Sequence, residues 1–492
     1  MNDPAAGAAH GATIDDEDIE VRPVWISRRI ALPLLGVALV LLGLGVLVAL
    51  LRGDSGPEIA AEATTPLNIP PLLEPTRVDG TEKYELSIGE ATHDYGDGRV
   101  TPSLSYNGAS MFGPTMVWRA GAYVEIDVSN TTPDVTTTHW HGADVPADDD
   151  GGPHSGIQPD TTWTADFPVI QPAATLWYHP HLMGTTGSSV ALGAVGLVIV
   201  EDQNPHTQNL PSTYGIDDIP VILQNPDLDE DGVIQIDDED DGDETTVNGT
   251  FDPFVDVPEG LVRLRILNAS QKTIYEISSD RDGLLVIASD GGYLNRPVRV
   301  RDLTVTPGDR VEVILDTRDG IVNLVDDDYG KLLELRPDES LPAVQEMPEQ
   351  LNEIVAFDPD DVDRERIFHM DRVDGDWVIN DAQMNMQRID QSVRFDDVER
   401  WIISSSEGVH AFHVHQTQFQ IVAINGEPPP EEETGWEDTV FVSEARTVEV
   451  VARFNSYTNP DVPYMFHCHV MPHEERGMMG QFQVLGDGPA DA

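Results

Sequence analysis

The chain has a single cysteine, Cys468, among 492 residues, so no internal disulfide staples the fold and the thiol is left for chemistry. Lysine is almost as scarce, with Lys83, Lys272 and Lys331 the full set. Against 88 acidic residues there are only 28 basic ones, a formal charge of −60, which excludes nucleic acid and acidic lipid surfaces as partners. A charge this one-sided repels itself in dilute buffer but is screened where salt shortens the Debye length, to about 3 Å at 1 M. The composition therefore predicts a halophilic protein from a saline habitat. Long stretches with the apolar period of an amphipathic helix are also missing. Instead, runs such as 123–128 (YVEIDV) and 447–452 (TVEVVA) recur between Gly- and Pro-containing turns, and no helical crossover separates them, so an all-β chain is expected. With 40% hydrophobic residues the chain is not a disordered polyanion.

This length predicts about three domains of roughly 100–150 residues. Residues 1–26 read as an acidic, disordered tail. Within 27–52, the stretch 30–51 is 22 residues without a charge, long enough to span a bilayer as a transmembrane anchor. Arg22, Arg28 and Arg29 precede it and only Arg52 closely follows, which puts the N-terminus in the cytoplasm and the rest outside. Ser27-Arg28-Arg29-Ile30 also resembles a twin-arginine export signal. No cysteine follows the run, so a lipoprotein anchor is excluded, and its length favours an anchor over a cleaved signal. The expected location is extracytoplasmic, either held at the cell membrane or exported. Residues 53–80 form a Pro-, Glu- and Ala-rich linker, with structure expected from near Glu82 and domains at 81–203, 204–355 and 356–487.

Four histidine clusters carry the chemistry: His139-Trp140-His141-Gly142, His179-Pro180-His181, His410 to His415 (HAFHVH), and His467-Cys468-His469 followed by His473 and Met478. They hold ten of the 15 histidines. On a strand successive side chains face opposite ways, so Cys468 points to one side and His467 with His469 to the other. One strand can thus serve two metal sites. A soft thiolate with two imidazoles and a weak thioether suits an electron-transferring copper, and clustered imidazoles suit further copper ions.

With these motifs (HWHG, WYHPH, HAFHVH and HCHVMPHEERGMM) the chain from 82 to 487 resembles the multicopper oxidases, in particular the three-domain bacterial laccases and copper-efflux oxidases. The resemblance implies three cupredoxin-like Greek-key β-sandwiches and four copper ions. It places a type 1 copper on His410, Cys468 and His473 with Met478 axial, and a type 2 copper on His139 and His413. Two type 3 coppers would share His141, His179, His181, His415, His467 and His469. The trinuclear cluster would then lie between the terminal domains, with the middle domain as a linker that holds them in register. Four one-electron oxidations of phenolic or metal-ion donors would be coupled to reduction of dioxygen to water. Asp150 and Glu474 match acidic positions used near the cluster, where protons are needed.

Weaker signals remain. Asp227 to Ile234 opens like an EF-hand loop with Asp238 at its twelfth place, but no helices flank it, so an acidic turn is the expectation over a calcium site. Met384, Met386, Met471 and Met479 are candidates to guide Cu(I), or core filling; the Met-rich insertion of the copper-efflux branch is missing here. Glu407 and Asp438 are candidates for receiving a phenol proton or a metal ion at the type 1 edge. His10, His93, His154, His206 and His369 lack ligand spacing, and Trp140 should point into the first core. The competing functions are a copper nitrite reductase, a cuprous or other metal-ion oxidase, and a non-catalytic module of the same fold.

Overall fold

The computed structural model describes residues 63–486 apart from 96, 97, 99, 110 and 237–241. The acidic tail, the apolar segment 27–52, the start of the linker, and Asp238 lie outside the described residues. Among those described, no helix is long and apolar enough to cross a membrane. Among the described residues strands dominate, and the two α-helices, α1 (Thr186–Ala191) and α2 (Met471–Glu475), are short.

The strands form three pairs of facing sheets. In the first pair, Tyr123–Asn130 shows why: Val124, Ile126 and Val128 are buried while Tyr123, Glu125 and Asp127 alternate outward, the two-residue period of a half-buried strand. Tyr84, Leu86 and Ile88 from that sheet meet Trp118, Leu176 and Val198 of its partner in one core. A six- and a seven-stranded sheet make the middle pair, closing over Ile219, Val262, Leu264, Ile277 and Leu324. In the last pair Phe368, Trp401 and Val450 pack on Phe412, Phe466 and Phe482. Each such side chain contributes about 1.5–3 kcal/mol on burial, enough to fix which face of every strand looks inward.

Regular structure begins earlier than Glu82. Within the stretch expected to be linker, Thr65–Pro66 lies parallel to the start of Pro253–Pro258 and Leu72–Leu73 parallel to Thr115–Arg119. The first thus joins the middle sandwich and the second the first one. Proline tolerates such edge positions, where no ladder donor is required of it.

Candidate metal centre

Four strands and the loops that leave them supply the ligand candidates: β1 (His139–His141), β2 (Ala174–His179), β3 (Val409–Val414) and β4 (Tyr464–Cys468). β1 pairs with β2, setting His139 opposite His179, and β3 pairs with β4, setting His413 opposite His467 and Phe412 opposite Cys468. Alternation does the rest. Cys468 enters the third core, while His467 and His469 leave the other face toward the first domain. Trp140, between two histidines, turns into the first core against Trp118 and Tyr178, as its position on the strand predicts.

Three histidine groups converge between the outer sandwiches: His139, His413 and His415; His141, His179 and His469; His181, His415 and His467. The nitrogens come very close, with His181 Nε2 3.1 Å and His415 Nε2 3.3 Å from His467 Nε2. Burial, the histidines' mutual repulsion and, for His141, Arg310 hold His141, His179, His181, His415 and His469 well below the ordinary imidazole range, and His413 at about 4. They are neutral ligands at neutral pH. Most have one ring nitrogen anchored outward. His139 Nδ1 donates to the Asp150 carbonyl at 2.8 Å, His413 Nδ1 to the Asp438 carbonyl at 2.9 Å, and His179 Nδ1 to the Pro180 carbonyl at 2.8 Å. The opposite nitrogens, Nε2 of His139, His179 and His413, are buried without a hydrogen-bond partner. Orphaned, inward-facing imidazoles fixed in one tautomer from behind are the donor set a copper cluster requires.

The second site lies on the other side of Cys468. Its Sγ is 3.5 Å from His410 Nδ1 and 3.6 Å from His473 Nδ1, and those two nitrogens are 3.3 Å apart. A point at the centre of such a triangle is about 2 Å from each corner, near the usual metal–nitrogen and metal–sulfur lengths. Burial pushes the thiol up to about 12 and His473 down to about 3, so ion binding must displace the thiol proton. Met478 is fully buried in the same core, and its carbonyl accepts the Cys468 amide at 3.0 Å. Trp377 packs against His473, the two rings tilted by 32° with centroids 3.8 Å apart.

Both expected acids stand beside the cluster. Asp150 Oδ2 accepts His415 Nδ1 at 2.9 Å; against its burial, His415 and His139 hold this carboxyl well below the usual range. Glu474 lies 3.3 Å from His467 Nδ1 and 3.6 Å from His181 Nδ1, which hold it near 2 against the same burial effect. Asp438 requires a correction. Expected at the type 1 edge, it is instead buried beside the histidine groups. Its Oδ1 is 3.1 Å from His141 Nε2, and both carboxylate oxygens accept from Arg310. Asp438 thus mirrors Asp150, each holding one histidine through its carbonyl and another through its carboxylate. Arg310 was not marked by any motif, since an isolated arginine on a strand has no ligand spacing. Glu407 does sit by the Cys468 site, but through its carbonyl, 2.9 Å from His410 Nε2, while its side chain is 54% exposed.

The weaker signals resolve in the same way. Asp229 caps its own turn, accepting the amides of Asp231 and Val233 at 2.9 Å each, and Leu228 bridges Ile234 as in a hairpin. Met384, Met465 and Met479 form a small buried cluster with Met386 against it, and Met471 packs with Trp177. His93, His154, His206 and His369 lie outside the metal groups, and His10 lies outside the described residues.

Family models described as multicopper oxidase match residues 88–205, 233–324 and 356–487. The chain is 31% identical over 446 residues to multicopper oxidase mco of Staphylococcus aureus, covering 86% of this chain and 94% of that protein. It is 33% identical over 454 residues to the cell division protein FtsP of Escherichia coli, with the same coverage, 86% and 94%. Among solved structures, the bacterial laccase-like multicopper oxidase CueO of Ochrobactrum sp. superposes with a TM-score of 0.79 at 33% identity, over 85% of this chain and all of that one. That protein is described as having oxidase activity toward lignin model compounds and lignosulfonate.

Proposed function

Because the chain belongs to the multicopper oxidase family, we propose that its buried histidine groups and its Cys468 site divide the labour of a laccase-like oxidase, one site accepting single electrons and the other reducing dioxygen. It is a copper-dependent oxidoreductase with oxygen as acceptor. His410, Cys468 and His473, with Met478 beside them, would hold the type 1 ion; His139 and His413 the type 2 ion; His141, His179, His181, His415, His467 and His469 the type 3 pair. Bound copper supplies the one-electron chemistry. The residues of the chain do the remainder. Cys468 links covalently to His467 and His469, so the peptide itself is the shortest bridge between the sites; this adjacency carries the reading. Asp150 and Glu474, each in contact with two of the histidines, are placed to hold protons or fix the imidazoles during water formation. The buried position of every histidine in the three groups keeps bulk water from the reacting oxygen.

The donor is a phenol-like compound or a metal ion; the lack of a Met-rich insertion speaks against a dedicated cuprous oxidase. The apolar run 30–51 and the flanking arginines support a membrane-anchored, extracytoplasmic body, and the charge of −60 supports a saline setting. FtsP-like relatives raise the alternative of a non-catalytic assembly module. The complete ligand set argues against it. Copper content with oxygen uptake at high salt, against a panel of phenols and reduced metal ions, separates the readings. About four coppers per chain and donor-dependent oxygen uptake support the oxidase, two coppers a nitrite reductase, and none the module.

A further inference from the structure

At the Cys468 site, His410, Cys468 and Met478 are fully buried and His473 is partly exposed, so an electron donor meets the site at the His473 edge. The charge around that edge runs against the composition of the chain. Acids outnumber bases 88 to 28, yet the side chains that frame His473 are cations. Arg372 lies opposite Trp377 in the hairpin formed by Arg364–Val373 and Asp376–Ile379, which puts the two side chains on one face. Its guanidinium carbon is 5.2 Å from the centre of the Trp377 ring, within cation–π range, and that ring in turn lies against His473. Arg372 Nε donates to the Gly375 carbonyl at 3.2 Å, which fixes the guanidinium on the hairpin. Arg476 follows α2, three residues after His473 and on the same side of the turn, and is exposed. Lys272, one of three lysines in the chain, adjoins Gln271, whose carbonyl accepts the Met471 amide at the start of α2 at 2.8 Å. Behind burial and His410, the cations Arg476, Arg372 and Lys272 are what hold His473 low.

The acids nearby are turned to other partners. Glu474 faces His467 and His181, and Glu475 Oε1 accepts the Gly187 amide at 2.8 Å. Asp371, the acid that bears on His410, is engaged by Ser406 and by the Arg372 amide at 2.7 Å. The exception is Glu407, whose carboxylate is 3.9 Å from Arg372 Nη1. Both of those side chains are exposed, so the pair is weak, and Arg372 can exchange it for the carboxylate of a ligand.

We propose that the electron donor is an anionic phenol, a ring carrying a carboxylate, and that Arg372 and Arg476 select it over neutral phenols and over metal cations. The inference rests on the oxidase reading and narrows its donor to one class. The planar guanidinium suits a carboxylate, and with the acid group held there the ring is left beside the His473 edge. The phenol gives one electron to the Cys468 site and its hydroxyl proton to water, leaving a phenoxyl radical whose carboxylate is unchanged. Salt favours this selection over the field of the whole chain, because distant acids act across more than a Debye length and are screened first, whereas charges in contact persist.

Homovanillate, vanillyl alcohol and vanillylamine share one methoxyphenol ring and differ in charge, and they test the proposal with copper-loaded protein at high salt. KM should rise in that order. Arg372→Gln should lower the kcat/KM ratio of homovanillate to vanillyl alcohol about threefold, and the double variant with Arg476→Gln about tenfold, mostly through KM. Arg372→Lys should recover part of the loss, and Glu407→Gln, which removes the competing carboxylate, should move the ratio the other way. Arg318→Gln removes the same charge from the middle sandwich, where it pairs with Asp316, and should leave the ratio unchanged. A preference for the alcohol or the amine, a ratio that the double variant does not move, or one that Arg318→Gln lowers equally would overturn the proposal and leave the oxidase reading intact. Ligand-observed NMR on the same full chain, kept reduced and without oxygen so that no donor is oxidised, separates the two readings. A chain that takes up no copper would overturn the oxidase reading; tighter binding of homovanillate than of vanillylamine, lost in the double variant, would still establish the charge selection, and equal binding would overturn it.

Discussion

Replacing Arg310 with methionine removes one guanidinium at the meeting point of all three sandwiches. Its side chain is fully buried, and each of its N–H groups is used. Nε donates to the Thr175 carbonyl at 3.1 Å, Nη1 to the Gly308 carbonyl at 3.1 Å and Asp438 Oδ1 at 2.7 Å, and Nη2 to the Asp290 carbonyl at 3.2 Å and Asp438 Oδ2 at 2.5 Å. Methionine fills similar space but leaves the Asp438 carboxylate buried without its cation. Breaking a buried pair from one side costs about 3–5 kcal/mol, because an uncompensated charge remains. Urea unfolding of copper-free protein at high salt, followed by circular dichroism, measures that loss. Adding Asp438→Asn removes the stranded charge, so the double variant should be more stable than Arg310→Met alone, with a coupling of about 1–3 kcal/mol. Asp438 orients His141 and His413, so Arg310→Met should also weaken copper uptake, by about 10–100-fold. An Arg310→Met protein within about 1 kcal/mol of wild type, with unchanged copper uptake, would show that the guanidinium does not organise the site.

Cys468→Ser should keep the fold yet abolish the intense blue absorption and turnover, because a hydroxyl gives no thiolate charge transfer; a blue, active variant would refute the type 1 assignment. Met478→Leu should leave the protein blue and raise the type 1 potential, measured by redox titration, and an unchanged potential would remove Met478 from the ligand set. For pH, burial holds His413 at about 4 and His473 at about 3, below the unfolded value of about 6.5. The unfolded chain then binds more protons at these two groups, so their share of copper-free stability is fully present above about pH 6.5 and falls as pH drops toward the folded values, while burial raises Asp144 and Asp309 to about 7 and acts in the opposite sense. The drop in urea midpoint between about pH 7.5 and about pH 5 should therefore be smaller in His473→Gln than in wild type, and an equal drop would contradict this sign.

Much of the site was legible because period-two alternation and His-x-His spacing fix direction as well as identity. The sequence alone sends Cys468 one way and His467 with His469 the other, and turns Trp140 into the core. Asp438 was misread for a physical reason: among 88 acids a single aspartate has no spacing to distinguish a surface group from a buried one. The usable hint lay in its partners. Arg263 and Arg265 alternate with Leu264 and Ile266 on one strand and Glu312 follows Arg310 on the next, charges placed where strand alternation buries both faces. In a chain with so few cations, arginines inside apolar strands signal compensated buried acids. The early strand Thr65–Pro66 was hidden for another reason, since its pairing partner lies near Pro253, almost two hundred residues on, and local composition shows only proline-rich linker.

His139 and His179 come from the first sandwich, and His413 and His467 from the last. On the ribosome the first group emerges well before the second exists, so a nascent or truncated chain holds only part of each of the three histidine groups and none of the Cys468 site. No complete donor set for a metal ion therefore exists until synthesis is essentially finished.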